Sequence, residues 1–175
     1  MLSQFEIKSR LGKGGMGEVW RAEDSKLGRD VALKILPAEF ARLPERPSRF
    51  QQEARTLAGL KHPGIIELYD FGRTEAGQLF LVMELLNGEP LDELLAREAP
   101  LPPSRVVALA IEALDALAEA HHVGIIHRDI KPENLFLTRA GLKILDFGLA
   151  RLQPVGGAAP REDGFSQEPT LSSPK

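Results

Sequence analysis

The stretch His127-Arg128-Asp129-Ile130-Lys131-Pro132-Glu133-Asn134 puts an acid, a lysine and an amide in one short loop. Asp146-Phe147-Gly148 begins twelve residues after Asn134. Between them lie Leu135-Phe136-Leu137, a turn at Thr138-Arg139-Ala140-Gly141, and Leu142-Lys143-Ile144-Leu145. That pattern predicts a hairpin of two short strands with a glycine at the turn. The hairpin would return Asp146 to the side of Asn134. Two oxygen ligands so placed suit Mg²⁺, which takes few protein ligands and shares the rest with phosphates and water. Asp129 is a candidate base for a substrate hydroxyl, and Lys131 a candidate cation beside a moving phosphoryl group.

Other elements must bring a nucleotide to these groups. Phe5 to Leu11 reads as a strand, followed by Gly12-Lys13-Gly14-Gly15-Met16-Gly17. This G-x-G-x-x-G spacing also occurs in dinucleotide folds, but those need a helix next. Here Glu18-Val19-Trp20-Arg21-Ala22 alternates polar and apolar, as a strand does. Strand, glycine turn, strand makes a flap whose backbone N–H groups can approach phosphates. Val31 to Leu36 reads as a buried strand with one charge, Lys34, which in such a setting commonly snorkels to the surface. Residues 37–47 carry three prolines and read as a linker. Ser48 with Gln51 predicts a capping box opening a helix, with Phe50, Ala54, Leu57 and Ala58 on its apolar face and Glu53 beside it. Ile65 to Phe71 and Gln78 to Met83 read as strands, and Leu91 to Arg97 as a short helix. A long helix follows Pro102-Pro103 and ends near Gly124, where His121 and His122 suit the negative end of the dipole. Glu112, Asp115 and Glu119 form a narrow polar stripe on it; a helix so broadly apolar is meant to be covered on several sides.

H-R-D-x-x-x-x-N followed by D-F-G resembles the catalytic-loop and metal-loop pair of the protein kinase family. Gly-Gly-Met-Gly-Glu-Val resembles the bacterial kinases of the eukaryotic serine/threonine type, and Val31-Ala32-Leu33-Lys34 resembles the family's V-A-I-K strand. The resemblance spans Phe5 to Arg151. It implies an α+β, protein-kinase-like fold of two lobes. The β-rich N-terminal lobe with one main helix would cover 1–86, and a partial, mainly helical C-terminal lobe 87–151.

The same resemblance implies roles. Lys34, paired with Glu53, would align ATP; Leu11, Gly12, Gly14 and Gly17 would cover it. Val19, Ala32 and Leu135 would face the adenine, with Met83 behind it and the backbone of Glu84 and Leu86 at its edge. Asn134 and Asp146 would hold Mg²⁺. Leu57, Leu68, His127 and Phe147 would stack into one apolar column. Arg128 would clamp a phosphorylated loop, with Ser166, Thr170, Ser172 and Ser173 as possible acceptors. The implied activity is transfer of the ATP γ-phosphoryl group to a protein serine or threonine, Lys131 favouring these over tyrosine. The alternative is an ATP-binding or partner-binding fragment with little transfer.

Composition sets bounds. Charged residues make up 27% and apolar ones 43%, ordinary for a folded chain. A net charge of −3 offers no basic field for nucleic acid or an anionic membrane. With no cysteine, disulfides and thiolate metal sites are excluded. Met1 to Ile7 lacks the basic and apolar pattern of a secretory signal, and Val106 to Ala118 is broken by Glu112 and Asp115, so a cytoplasmic protein is expected. Residues 152–175, rich in Pro and Gly, read as a flexible tail, and no Ala-Pro-Glu motif or further helices follow. The family pattern is thus expected to be truncated after Asp-Phe-Gly. Each large apolar side chain left uncovered forgoes about 1.5–3 kcal/mol, against a net stability of only about 5–15 kcal/mol. An exposed apolar patch is therefore expected, favouring self-association or a partner.

Overall fold

The computed structural model describes residues 4–15, 17–42 and 46–147. The expectations for the tail, its candidate acceptors and Gly148 lie outside the described residues. Strand alternation decides the first half. Strands β1 (Phe5–Gly14), β2 (Gly17–Asp24), β3 (Arg29–Ile35), β4 (Leu68–Arg73) and β5 (Leu79–Glu84) form one antiparallel sheet in the order β1-β2-β3-β5-β4. Along β3, Val31 and Leu33 point to one face and Ala32 and Lys34 to the other. The first face packs Val31 and Leu33 with Phe5, Ala22, Phe80 and Val82. Opposite, Val19 stands across from Lys34 and Met83 across from Ala32, so these side chains share the face turned to the rest of the molecule.

Two helices flank this sheet. α1 (Ala38–Arg42) falls inside the segment expected to be a linker. Phe40 forms it by burying its ring edge-on against Phe50, centroids 6.4 Å apart. α2 (Arg46–Gly59) begins before Ser48, so Ser48 lies within the first turn and is not the cap expected of it. Phe50, Ala54 and Leu57 are buried as the apolar face required.

Ile65 leaves the sheet. It makes a parallel bridge to Ile144, so β4 starts three residues later than expected. A second sheet, β6-β7-β8, joins β6 (Gly88–Pro90), β7 (Leu135–Thr138) and β8 (Gly141–Ile144). α3 (Leu91–Glu98) follows β6 directly, and α4 (Pro103–His122) is the long helix. One core cluster runs from Ala32 and Met83 through Leu57 and Ile65 to Ala116, Leu142, Ile144 and Phe147. The two sheets thus share a continuous apolar interior.

α4 is covered differently from expectation. Its polar stripe of Glu112, Asp115 and Glu119 is exposed, and two of its acids also reach neighbours: Glu112 Oε2 accepts the Leu142 N–H at 2.7 Å, and Asp115 lies 3.2 Å from His62 Nε2. The side chains buried against β8 and the 62–65 segment are small, Ala116 and Ala120. Val107, Ile111 and Leu114, one turn apart along a different face, are 57%, 62% and 64% exposed. The expected apolar patch is present there. No helix among the described residues is long and apolar enough to cross a membrane.

Candidate active site

The catalytic-loop stretch is fastened from below by a buried imidazole. Gly124, at φ +80°, ends α4 in a conformation that glycine adopts freely. Three residues later His127, 1% exposed, sets its ring edge against Phe147, centroids 4.8 Å apart. Its Nε2–H donates to the Leu145 carbonyl at 2.6 Å, and its Nδ1 accepts the Asp129 N–H at 3.2 Å. Those two bonds select the neutral tautomer protonated at Nε2. Burial pushes its pKa below the ordinary 6.5. Arg128 then takes φ +62°, an uncommon conformation for a non-glycine residue.

Asp129 is gripped by Asn134. The Asn134 Nδ2 donates to the Asp129 carbonyl at 2.8 Å and approaches its Oδ2 at 3.3 Å. Lys131 Nζ stands 3.8 Å from the same Oδ2. A single 3₁₀ turn, Pro132–Asn134, closes the loop. The hairpin then forms in the register Leu135↔Ile144 to Thr138↔Gly141. The Leu145 N–H donates to the Asn134 carbonyl at 2.8 Å, which returns the chain to the catalytic loop one residue before Asp146. Asp146 has φ +55° and directs Oδ1 to Lys34 Nζ, 2.6 Å away. Lys34 does not snorkel outward; it is 5% exposed, and a cation so buried requires a counter-charge.

Glu53 is not that counter-charge, contrary to the pairing expected with Lys34. It lines a separate cavity of about 370 Å³ with Arg49, Gln52, Thr56, Arg128 and Phe147. Burial pushes its carboxyl pKa up, and the charges of Arg128 and Arg49 partly offset that. Asp146 is already in contact with Lys34, and the cations that act on Glu53 belong to other residues. Of the expected column, Leu57, Leu68 and Phe147 share one buried cluster and His127 packs on Phe147.

The cleft between the sheets has two adjoining parts. One, about 430 Å³, is lined by Leu11, Gly12, Val19, Ala32, Met83, Glu84 and Leu86, all expected there. Leu135 is not among its lining; Phe136 and Leu145 are. Successive residues of β7 alternate faces, so Leu135 turns into the core and Phe136 into the cleft. Counting that alternation forward from Asn134 would have found Phe136. The other part, about 400 Å³, is lined by Gly12, Lys13, Gly14, Gly17, Lys34 and Asp146 among others. Asp92 and Glu133 also line it and carry no role in the sequence reading. Gly17 is required here: with φ +111°, a Cβ would lie 2.1 Å from the Ile35 carbonyl oxygen.

These parts fit a nucleotide and a hard cation. The first offers apolar faces and a backbone edge; the second offers glycine backbone and a lysine. No cluster of three His, Cys, Asp or Glu stands ready for a metal among the described residues. Asn134 Nδ2 is engaged with Asp129, which leaves its Oδ1, together with Asp146, as oxygen donors. Two are enough for Mg²⁺ when phosphates complete its shell.

Residues 5–164 match the family described as protein kinase domain. A probable serine/threonine-protein kinase of Streptomyces coelicolor, SCO3848, is 45% identical over 152 residues, covering 85% of this chain and 23% of that protein. The serine/threonine-protein kinase PknA of Mycobacterium tuberculosis is 43% identical over 153 residues, covering 85% of this chain and 36% of PknA. The solved kinase domain of M. tuberculosis PknI superposes with a TM-score of 0.77 at 33% identity, covering 84% of this chain and 59% of that one. The chain thus spans about a quarter to a third of these two curated relatives. With a family match over most of its length, and catalytic-loop and metal-loop motifs folded against one another, the chain belongs to the protein kinase domain family, among bacterial kinases of the eukaryotic serine/threonine type.

Proposed function

We propose that the protein transfers the γ-phosphoryl group of ATP to a serine or threonine hydroxyl of a protein, with Mg²⁺. The observation that carries this reading is the double use of Asn134. Its side chain holds Asp129, and its carbonyl accepts the N–H next to Asp146. A base for the acceptor hydroxyl and an oxygen ligand for the cation are thereby fixed to one residue.

In this reading Val19, Ala32 and Phe136 enclose the adenine, and the Glu84 and Leu86 backbone meets its edge. Lys34 binds the α- and β-phosphates, leaving Asp146 to the cation. Asn134 and Asp146 would hold Mg²⁺, which when bound would offset the charge of the phosphates. Asp129 orients the acceptor hydroxyl and receives its proton, while Lys131 offsets negative charge on the transferring group. Residues 1–86 and 87–151 act as the two lobes. The cytoplasm, which supplies ATP, is the compartment this chemistry needs, and the apolar face of α4 is a surface for self-association.

A second reading, nucleotide binding with little transfer, is favoured by the placement of Glu53 away from Lys34. Two measurements separate them. Transfer from labelled ATP to a generic protein substrate, reduced about 10²–10⁴-fold by Asp129→Asn, supports the kinase. Saturable ATP binding abolished by Lys34→Ala, without any transfer, supports the second reading.

A further inference from the structure

The half-buried ion pair between Glu84 and Lys143 has no part in the chemistry above. Lys143 Nζ lies 2.6 Å from Glu84 Oε1, and the two side chains are 17% and 19% exposed. The same Oε1 accepts the Glu67 N–H at 2.8 Å, and Lys143 also donates to the Ile65 carbonyl at 3.3 Å. One carboxylate oxygen therefore gathers three elements: the end of β5, the segment before β4, and β8.

Each of these elements borders the nucleotide cleft. Glu84 and Ile66 line it, and β8 runs directly into Leu145 and Asp146, which also line it. Backbone bonds already join the segment before β4 to each of the other two. The Ile66 N–H donates to the Ile144 carbonyl at 3.1 Å, and the Ile144 N–H to the Gly64 carbonyl at 2.8 Å. The Glu84 N–H donates to the Glu67 carbonyl at 3.0 Å. Between β5 and β8 themselves, this side-chain pair is a direct polar link among the described residues. A half-buried charge pair resists separation more than an exposed one, because pulling it apart leaves each ion poorly solvated.

We infer that Glu84 and Lys143 are positioning residues that fix the spacing between the Glu84 and Leu145 walls of the nucleotide cleft, so that nucleotide affinity depends on this pair although Lys143 is not among the residues lining the cleft. This deepens the nucleotide reading above and rests on it. The effect passes through Glu84 and Leu145, both of which line the pocket.

The test is titration of the full chain with ADP in the absence of metal, alongside thermal melting. Lys143→Met is expected to weaken ADP roughly tenfold, within the usual range for coupled sites. Lys143→Arg is expected to keep most of the affinity. Glu84→Gln retains an acceptor for the Glu67 N–H and tests the charge alone; it serves if Lys143→Met does not fold. The double variant Glu84→Gln/Lys143→Met should bind no more weakly than Lys143→Met alone, because both changes remove one interaction. A merely structural pair would lower the melting temperature and leave ADP affinity unchanged in the folded variants. That result, or additive losses in the double variant, overturns the inference. Absence of ADP binding by the unaltered chain refutes the nucleotide reading, and this role falls with it.

Discussion

Lys34 Nζ contacts Asp146 Oδ1 at 2.6 Å, while Glu53 faces Arg128 and Arg49 in another cavity. The buried lysine therefore depends on Asp146 and not on Glu53. Asp146→Asn should lower the unfolding free energy of the nucleotide-free chain by about 1–3 kcal/mol, the cost of an unbalanced buried charge moderated by the partial exposure of Asp146. Glu53 behaves oppositely. Its raised pKa means that the fold disfavours its ionised form, so its stabilising share is present at low pH and lost as the pH rises through the folded value. Glu53→Gln at pH 7 should thus cost less than about 0.5 kcal/mol. Denaturant unfolding of both variants checks this, and a larger loss for Glu53→Gln would reverse the assignment.

His127 should make the fold acid-sensitive. Its pKa is depressed by burial, so the neutral form is the native one. The contribution is complete above the ordinary value of 6.5 and disappears as the pH falls through the lower, folded value. Protonation at Nδ1 would also break the bond from the Asp129 N–H. An NMR titration of the ring should give a midpoint below 6.5; a midpoint at or above 6.5 is incompatible with this placement.

Phe136 and Leu135 should separate binding from stability. Phe136→Ala is expected to weaken ATP roughly tenfold or more, from lost apolar contact. Leu135→Ala should mainly lower the melting temperature. Calorimetric titration beside thermal melting distinguishes them, and equal ATP affinity in Phe136→Ala and the unaltered chain would remove Phe136 from the cleft.

The glycines of the flap should differ in kind. Gly17→Ala meets the Ile35 carbonyl and a positive φ, and should destabilise by more than about 1 kcal/mol. A Cβ at Gly12 meets nothing within 4 Å, so Gly12→Ala should leave stability nearly unchanged. Indistinguishable melting of the two would contradict the register Gly14↔Gly17.

Much of this was legible because the informative patterns are short-range. Alternation along β3 places Lys34 and Ala32 on one face, and the turn at Gly141 returns Asp146 to Asn134. What escaped depends on distant partners. Phe40 makes a helix of a presumed linker because Phe50, ten residues on, receives its ring. Ile65 pairs with Ile144, which no local periodicity announces. The bonds from Leu142 to Glu112 and from His62 to Asp115 cross from distant segments, which the stripe itself does not announce. The resemblance pairs Lys34 with Glu53 and gives Asp146 to the cation, whereas the three-dimensional arrangement sets Asp146 on Lys34, a contact no sequence spacing announces.

The most direct measurement is the yield of phosphoserine and phosphothreonine on a generic protein substrate after incubation with ATP and Mg²⁺, for the unaltered chain and for Asp129→Asn. The account predicts product that needs both ATP and Mg²⁺ and falls about 10²–10⁴-fold in the variant. Equal yields from the two chains, or none from the unaltered chain, would contradict it.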